Sequence, residues 1–326
     1  MRGKYLPNYV FKTVKANNEL HCSNYCSMDG SCASANFKTS GKGRGLCELN
    51  SKTVEIGGES NPEFNYLEIV TRSCRGDKSQ FFSEATKTCK LHQSCKDLLE
   101  RDGSLSDGVY TLQANDSLEK YPVYCQMADT AGCGKGGWTL VMKVDGNKND
   151  FNYSSSYWTN KKTFAVEDGL EGLSEKQTKM ASYWNTPFTR ICLGMKVNDV
   201  TNWITIDKKA RSLFDVIAGG ATTRTTAGKE TWKSLIAGSS LQNNCNDEGF
   251  NLRCQINELY MRVRIGLVAN NEVTCDTCDS YIGLGVSYLG CGIQSTITCG
   301  NLAVCHSSSH YNADTYIWAF GYILVQ

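Results

Sequence analysis

The sequence predicts an α+β protein in two parts, a small disulfide-rich domain followed by a larger mixed domain, and three observations carry that expectation. Its 326 residues suit about two domains of ordinary size, each large enough for its own core. Its 17 cysteines run unevenly from Cys22 to Cys305 with no repeating metal-ligand period. In a reducing cytosol many would be idle thiols, so an oxidising, extracellular setting is the economical reading. Short alternating apolar runs interleave with brief helical patterns along most of the chain.

Charge and hydropathy narrow the partners. The 34 Lys and Arg against 33 Asp and Glu leave a net charge of +1, with no run of five like charges, which argues against nucleic acid. No segment reaches the roughly 18 to 20 apolar residues of a bilayer span, so no transmembrane anchor is expected. Tyr316 to Val325 is too short for one and reads as a single buried terminal strand. Met1-Arg2-Gly3-Lys4 is basic but meets Pro7, Asn8 and Lys12 before any apolar stretch. A signal peptide is thus missing from the start, and the natural chain is expected to extend upstream.

The first part covers residues 1–74. Phe11, Val14 and Leu20 lead into Cys22-Ser-Asn-Tyr-Cys26 and then Cys32. A spacing of four puts Cys22 and Cys26 on one face of a short helix. Cys47-Glu48-Leu49 and Asn65 to Ile69 read as strands of a covering sheet. The C-x-x-x-C helix, the nearby Cys32, the Phe37-Lys38 segment and the C-x-L strand together resemble the PAN/apple family, a protein- or carbohydrate-binding module. The resemblance implies that Cys22 pairs with Cys47 and Cys26 with Cys32. It also implies that Cys74 closes onto a cysteine near the module's start. None precedes Cys22, so Cys74 either awaits an upstream partner or pairs with Cys89.

Residues 75–93 read as a polar linker carrying Arg75-Gly76-Asp77. This is an integrin-type adhesion motif by composition and exposed placement, and equally a tripeptide that chance supplies. Residues 94–326 form the second part. Ser94-Cys95-Lys96-Asp97-Leu98, Asp107-Gly108-Val109-Tyr110, Val123-Tyr124-Cys125-Gln126-Met127 and Gly136-Gly137-Trp138-Thr139-Leu140-Val141 follow in order. That succession resembles the opening of fibrinogen C-terminal and intelectin-like domains, and it implies a Cys95–Cys125 disulfide. Further on, Ser174-Glu175-Lys176-Gln177 has the form of a capping box and predicts a helix through Met180, Tyr183 and Trp184, ended by Pro187. Ile191 to Val197, Trp203 to Ile206 and Met261 to Ala269 read as strands, Ala210 to Ile217 and Lys229 to Ala237 as helices. The segments from Ala181 to Pro187, Ile191 to Lys196, Glu248 to Asn251 and Gly321 to Gln326 resemble fibrinogen-like proteins of marine invertebrates, including some of the stony-coral skeletal matrix.

Catalytic chemistry finds little footing. His21, His92, His306 and His310 accompany no nucleophile elbow, and Gly285 to Gly290 has one residue too many for G-x-S-x-G. Cys275 and Cys278 with His306 and His310 suggest zinc, but the 27 residues between Cys278 and His306 are too many for a finger, and disulfides are expected instead. Asp145 to Asp150 begins like an EF-hand loop but puts Asp150 where glycine is required. The cofactor left in play is calcium, with Asp276 and Asp279 as expected ligands. Backbone carbonyls, Asn246 or Asp247, and water would complete the about six to eight oxygens it takes. The alternative, in which both aspartates are solvated loop residues capping their own backbone, stays open. Asn115-Asp116-Ser117 and Asn152-Tyr153-Ser154 are sequons to be glycosylated on export.

The expected protein is therefore non-enzymatic and secreted. It is either an adhesive or framework component of an extracellular matrix, such as that of a coral skeleton, or a soluble lectin-like recognition protein. Its expected partners are extracellular glycans or matrix proteins, with an integrin-type receptor at Arg75-Gly76-Asp77.

Overall fold

The computed structural model describes residues 1–29, 31–53, 58–68, 80–83, 88–114, 119–254, 261–290, 293–305 and 314–326. The chain divides into two compact units, Met1–Lys90 and Leu91–Gln326. The division falls near the end of the segment predicted as a linker. That segment contains a two-stranded sheet, Gln80–Ser83 with Thr88–Leu91.

In the first unit five strands make an antiparallel sheet in the order Arg2–Tyr5, Glu59–Glu68, Ser34–Lys38, Leu46–Asn50 and Val10–Lys15. One helix, Glu19–Met28, lies beside it. Asn18 caps the helix by accepting from the His21 amide at 2.8 Å. Only Cys22 and Cys26 of this helix are buried. Ten residues with so little apolar face would be marginal alone. Two disulfides attach it instead, Cys22 to Cys47 on the strand Leu46–Asn50 and Cys26 to Cys32 just beyond the helix. Ala16, Ala35, Phe37 and Leu49 complete the small core around them.

The second unit is predominantly β. One seven-stranded sheet runs Val200–Ala210, Phe188–Val197, Phe320–Val325, Trp138–Asp145, Lys120–Gln126 and Gly108–Gln113, with Thr178–Lys179 pairing to Trp138–Asp145. The other runs Thr223–Arg224, Asn244–Cys254, Met261–Asn270, Ser280–Gly290, Cys299–Ala303 and Thr315–Trp318, with Ile293–Ser295 beside Ser280–Gly290. The main core takes Val141, Leu193 and Ile323 from the first sheet and Ile265, Leu267 and Leu284 from the second, with Trp158 and Trp232 among them.

The expected α+β balance therefore shifts toward β. The described helices of this unit are short, Cys95–Arg101 being the longest at seven residues. The helix predicted from Ser174 does not form. Ser174 Oγ accepts from the buried Lys143 ammonium at 2.9 Å rather than capping a helix, and Thr178–Lys179 is a strand. Only Ser182–Asn185 of that stretch is helical. The predicted terminal strand is two strands, Thr315–Trp318 and Phe320–Val325, which belong to different sheets and break at Ala319. The Ala319 amide donates to the Cys299 carbonyl and its carbonyl accepts from the Gly146 amide, so this residue pins the crossing.

Candidate recognition groove

A concavity of the first unit with a volume of about 790 Å³ lies at the start of the helix. Three chain segments build it: Ala16 to Leu20 entering the helix, Phe37 and Thr39 at the end of one strand, and Arg44 with Gly45 in the following turn. Gly45 holds the floor. Its carbonyl accepts from the Ala16 amide and its amide donates to the Lys38 carbonyl, both at 2.9 Å. Its φ of +88° suits glycine, and a Cβ there would stand 3.0 Å from the Ala16 carbonyl oxygen. The Cys22–Cys47 disulfide fixes helix to sheet immediately behind.

The lining mixes characters. Leu20 stands 71% exposed at the rim, Phe37 lies buried beneath, and Arg44 projects exposed without an ion pair among the described residues. Glu19 Oε1 accepts from the Asn65 amide group at 2.6 Å, and the Thr39 hydroxyl donates to the Glu63 carbonyl at 3.0 Å. Along the helix from Leu20, Met28 is 85% exposed eight residues on, and Tyr25 stacks on His21 at 4.6 Å. Exposed Leu20 and Arg44 over buried Phe37 suit a ligand that offers apolar contact area together with an acceptor. Sequence reading missed this groove because its residues converge only once helix and turn are folded together.

The other expected site residues separate clearly. The structure joins Cys22 to Cys47, Cys26 to Cys32 and Cys95 to Cys125. It adds Cys133 to Cys192, Cys245 to Cys275 and Cys254 to Cys278, so the last two pairs commit the sulfurs considered for zinc. Among the described cysteines Cys299 is free, and it is fully buried. Cys74, Arg75, Gly76, Asp77 and Asn115 lie outside the described residues. Asn152 is half-buried, and its Oδ1 accepts from the Ser154 amide at 2.9 Å.

Asp276 and Asp279 sit at different depths, the first exposed and the second only 5% exposed. Asp247, named as a possible helper, is engaged by Arg224 through two contacts of 2.7 and 3.0 Å, and the exposed Asn246 side chain donates to the Asn243 carbonyl. Among the described residues no three His, Cys, Asp or Glu side chains gather as a metal site. No described helix is long and apolar enough to cross a membrane.

Two buried lysines also went unforeseen. Lys143 donates to the Asp168 and Gly172 carbonyls and the Ser174 hydroxyl, at 2.7 to 2.9 Å. Lys179 donates to the Asn160 carbonyl and side-chain oxygen and lies 4.5 Å from the Tyr183 ring centre. Burial lowers the first to about 8 and the second to about 7. Both are enclosed and hydrogen-bonded to neutral oxygens.

In the solved structures the chain is similar to the fibrinogen-like globe domain of human ANGPTL2, at 21% identity and a TM-score of 0.26. That match covers 35% of this chain and 50% of the other. The PAN domain family matches residues 1–74, the segment whose sheet, helix and two disulfides form the groove. Residues 1–74 are a PAN domain.

Proposed function

We propose that the chain is a secreted, non-enzymatic component of an extracellular matrix, with an adhesive or framework role, and that the groove of its PAN domain carries recognition. The observation that carries this reading is the groove itself, lined by exposed Leu20 and Arg44 over buried Phe37, beside the Cys22–Cys47 disulfide, within a domain family matched by sequence. The six described disulfides support an oxidising compartment. Near-neutral charge favours adhesion or scaffolding over direct nucleation of mineral, which calls for long acidic runs. Within a biomineral matrix, such as the coral skeleton its sequence resembles, the protein would bind the organic framework. Arg75-Gly76-Asp77 is proposed as a cell-adhesion element, and Asn115 and Asn152 as glycan attachment sites.

The test is an array of matrix proteins and extracellular glycans read with calcium and with chelator. Adhesion through the PAN groove predicts binding that survives the chelator and is lost in Leu20→Asp. Binding abolished by chelator and unaffected by Leu20→Asp would favour a soluble, calcium-dependent lectin. In that case Asp276→Asn and Asp279→Asn ask whether the two aspartates hold the ion.

A further inference from the structure

Three arginines of the second unit converge on one tyrosine, with no carboxylate ion-paired to them among the described residues. Arg253 and Arg262 occupy directly opposite positions on the strands Asn244–Cys254 and Met261–Asn270, and Arg264 follows on the same face two residues on. Tyr153 is enclosed by them. The Arg264 guanidinium lies 4.0 Å and that of Arg262 4.8 Å from its ring centre, while Arg253 Nε donates to its hydroxyl at 3.1 Å. Like charges set opposite one another on a sheet repel. Such an arrangement ordinarily recruits acids, yet among the described residues none of the three has an ion pair.

Their remaining donors distinguish the three. Arg264 is 6% exposed and is consumed internally, donating to the Tyr153 carbonyl and to Asn251 Oδ1, both at 2.8 Å. Arg253 is exposed, its Nη2 reaching the Gly220 carbonyl only at 3.5 Å. Arg262 is half-buried, touches the exposed Ser154 hydroxyl at 3.3 Å through Nη2, and keeps a buried Nε with no acceptor. Opposite Arg262 on the next strand stands Ser287. No large apolar side chain is contributed by these facing positions, so the patch is polar and suits a hydrophilic partner.

We propose that Arg253 and Arg262, with the Ser154 hydroxyl, form a docking site for the oxyanions of an acidic polysaccharide, with Tyr153 and Arg264 as its positioning base. Arginine forks match the planar carboxylate and the trigonal face of a sulfate by paired N–H donors, and a repeating polyanion can engage two neighbouring guanidinium groups at once. Stacking on Tyr153 fixes the planes in advance and limits the side-chain entropy lost on binding. The site belongs to the second unit and does not depend on the PAN groove.

The experiment uses the full chain carrying Asn152→Gln, which keeps a glycan away from Ser154 without creating a carboxylate there, titrated with heparin, with dextran sulfate and with polygalacturonate as a function of salt. The Asn152→Gln chain binds at least one of them at about 0.15 M salt, and Arg253→Gln/Arg262→Gln weakens that binding at least 10-fold. The salt dependence flattens by about two, roughly one released counterion per guanidinium. Dextran sulfate and polygalacturonate then separate sulfate from carboxylate recognition. Lys208→Gln/Lys209→Gln, an equal change of charge elsewhere, leaves the affinity unchanged. Should the double variant not fold, the exposed Arg253→Gln alone carries the test, with a loss of about threefold or more. No binding of any of the three polymers by the Asn152→Gln chain, or equal losses in the arginine and lysine variants, would overturn the proposal.

Discussion

Lys179 and Lys143 show how a single residue can set a solution property of the whole chain. Both pKa values fall below the ordinary lysine value of 10.5, so between about pH 7 and 10.5 the unfolded chain binds protons that the folded chain does not. Stability therefore rises with pH through that window. Above about pH 10 the sign reverses. Burial pushes Tyr121, Tyr124 and Tyr322 up to about 12, so the unfolded chain loses those protons first. Thermal melts from pH 6 to 11 should show a maximum near pH 9 to 10, and Lys179→Met should flatten the rising limb. At the same scale, Cys299 is fully buried and burial holds its thiol well above the ordinary range, so it should resist iodoacetamide in the native protein and react on unfolding. Neither behaviour is legible in the sequence. Lysine and cysteine reveal their depth only when strands such as Trp138–Asp145 and Cys299–Ala303 are assembled.

At the scale of elements the sequence was most readable where burial alternates or persists along a strand. Phe188–Val197 and Met261–Asn270 form where their apolar patterns predict, within a few residues. The PAN helix was readable from its Cys22 and Cys26 spacing. Local signals misled where a distant group competed for them. Ser174 serves Lys143 from another strand, so its capping-box pattern starts no helix. The Cys133–Cys192 disulfide was equally invisible, since nothing local connects residues 59 apart. It links the turn before Trp138–Asp145 to the strand Phe188–Val197, so its loop is the longest of the described disulfides. Its removal as Cys133→Ser/Cys192→Ser should destabilise the second unit by about 4 kcal/mol on the chain-entropy model. Denaturant titration reads this directly, and a loss under about 1 kcal/mol would contradict it.

On the scale of the whole molecule, two units meet different demands with one device. The first has a small core and holds its helix by Cys22–Cys47 and Cys26–Cys32, leaving the helix's exposed side available at the groove. The second has two sheets around a large core and uses disulfides at strand ends, as at Cys245–Cys275 and Cys254–Cys278. The disulfide framework was readable from the cysteine count, and the PAN segment from its motifs. The groove was not, because it needs the Gly45 turn against the helix start. The most direct measurement is a binding titration of the full chain on extracellular matrix, comparing wild type with Leu20→Asp/Arg44→Glu at matched folding. Recognition through the PAN groove predicts at least a 10-fold loss in the variant with an unchanged melting temperature, whereas equal affinities for the two proteins would contradict it.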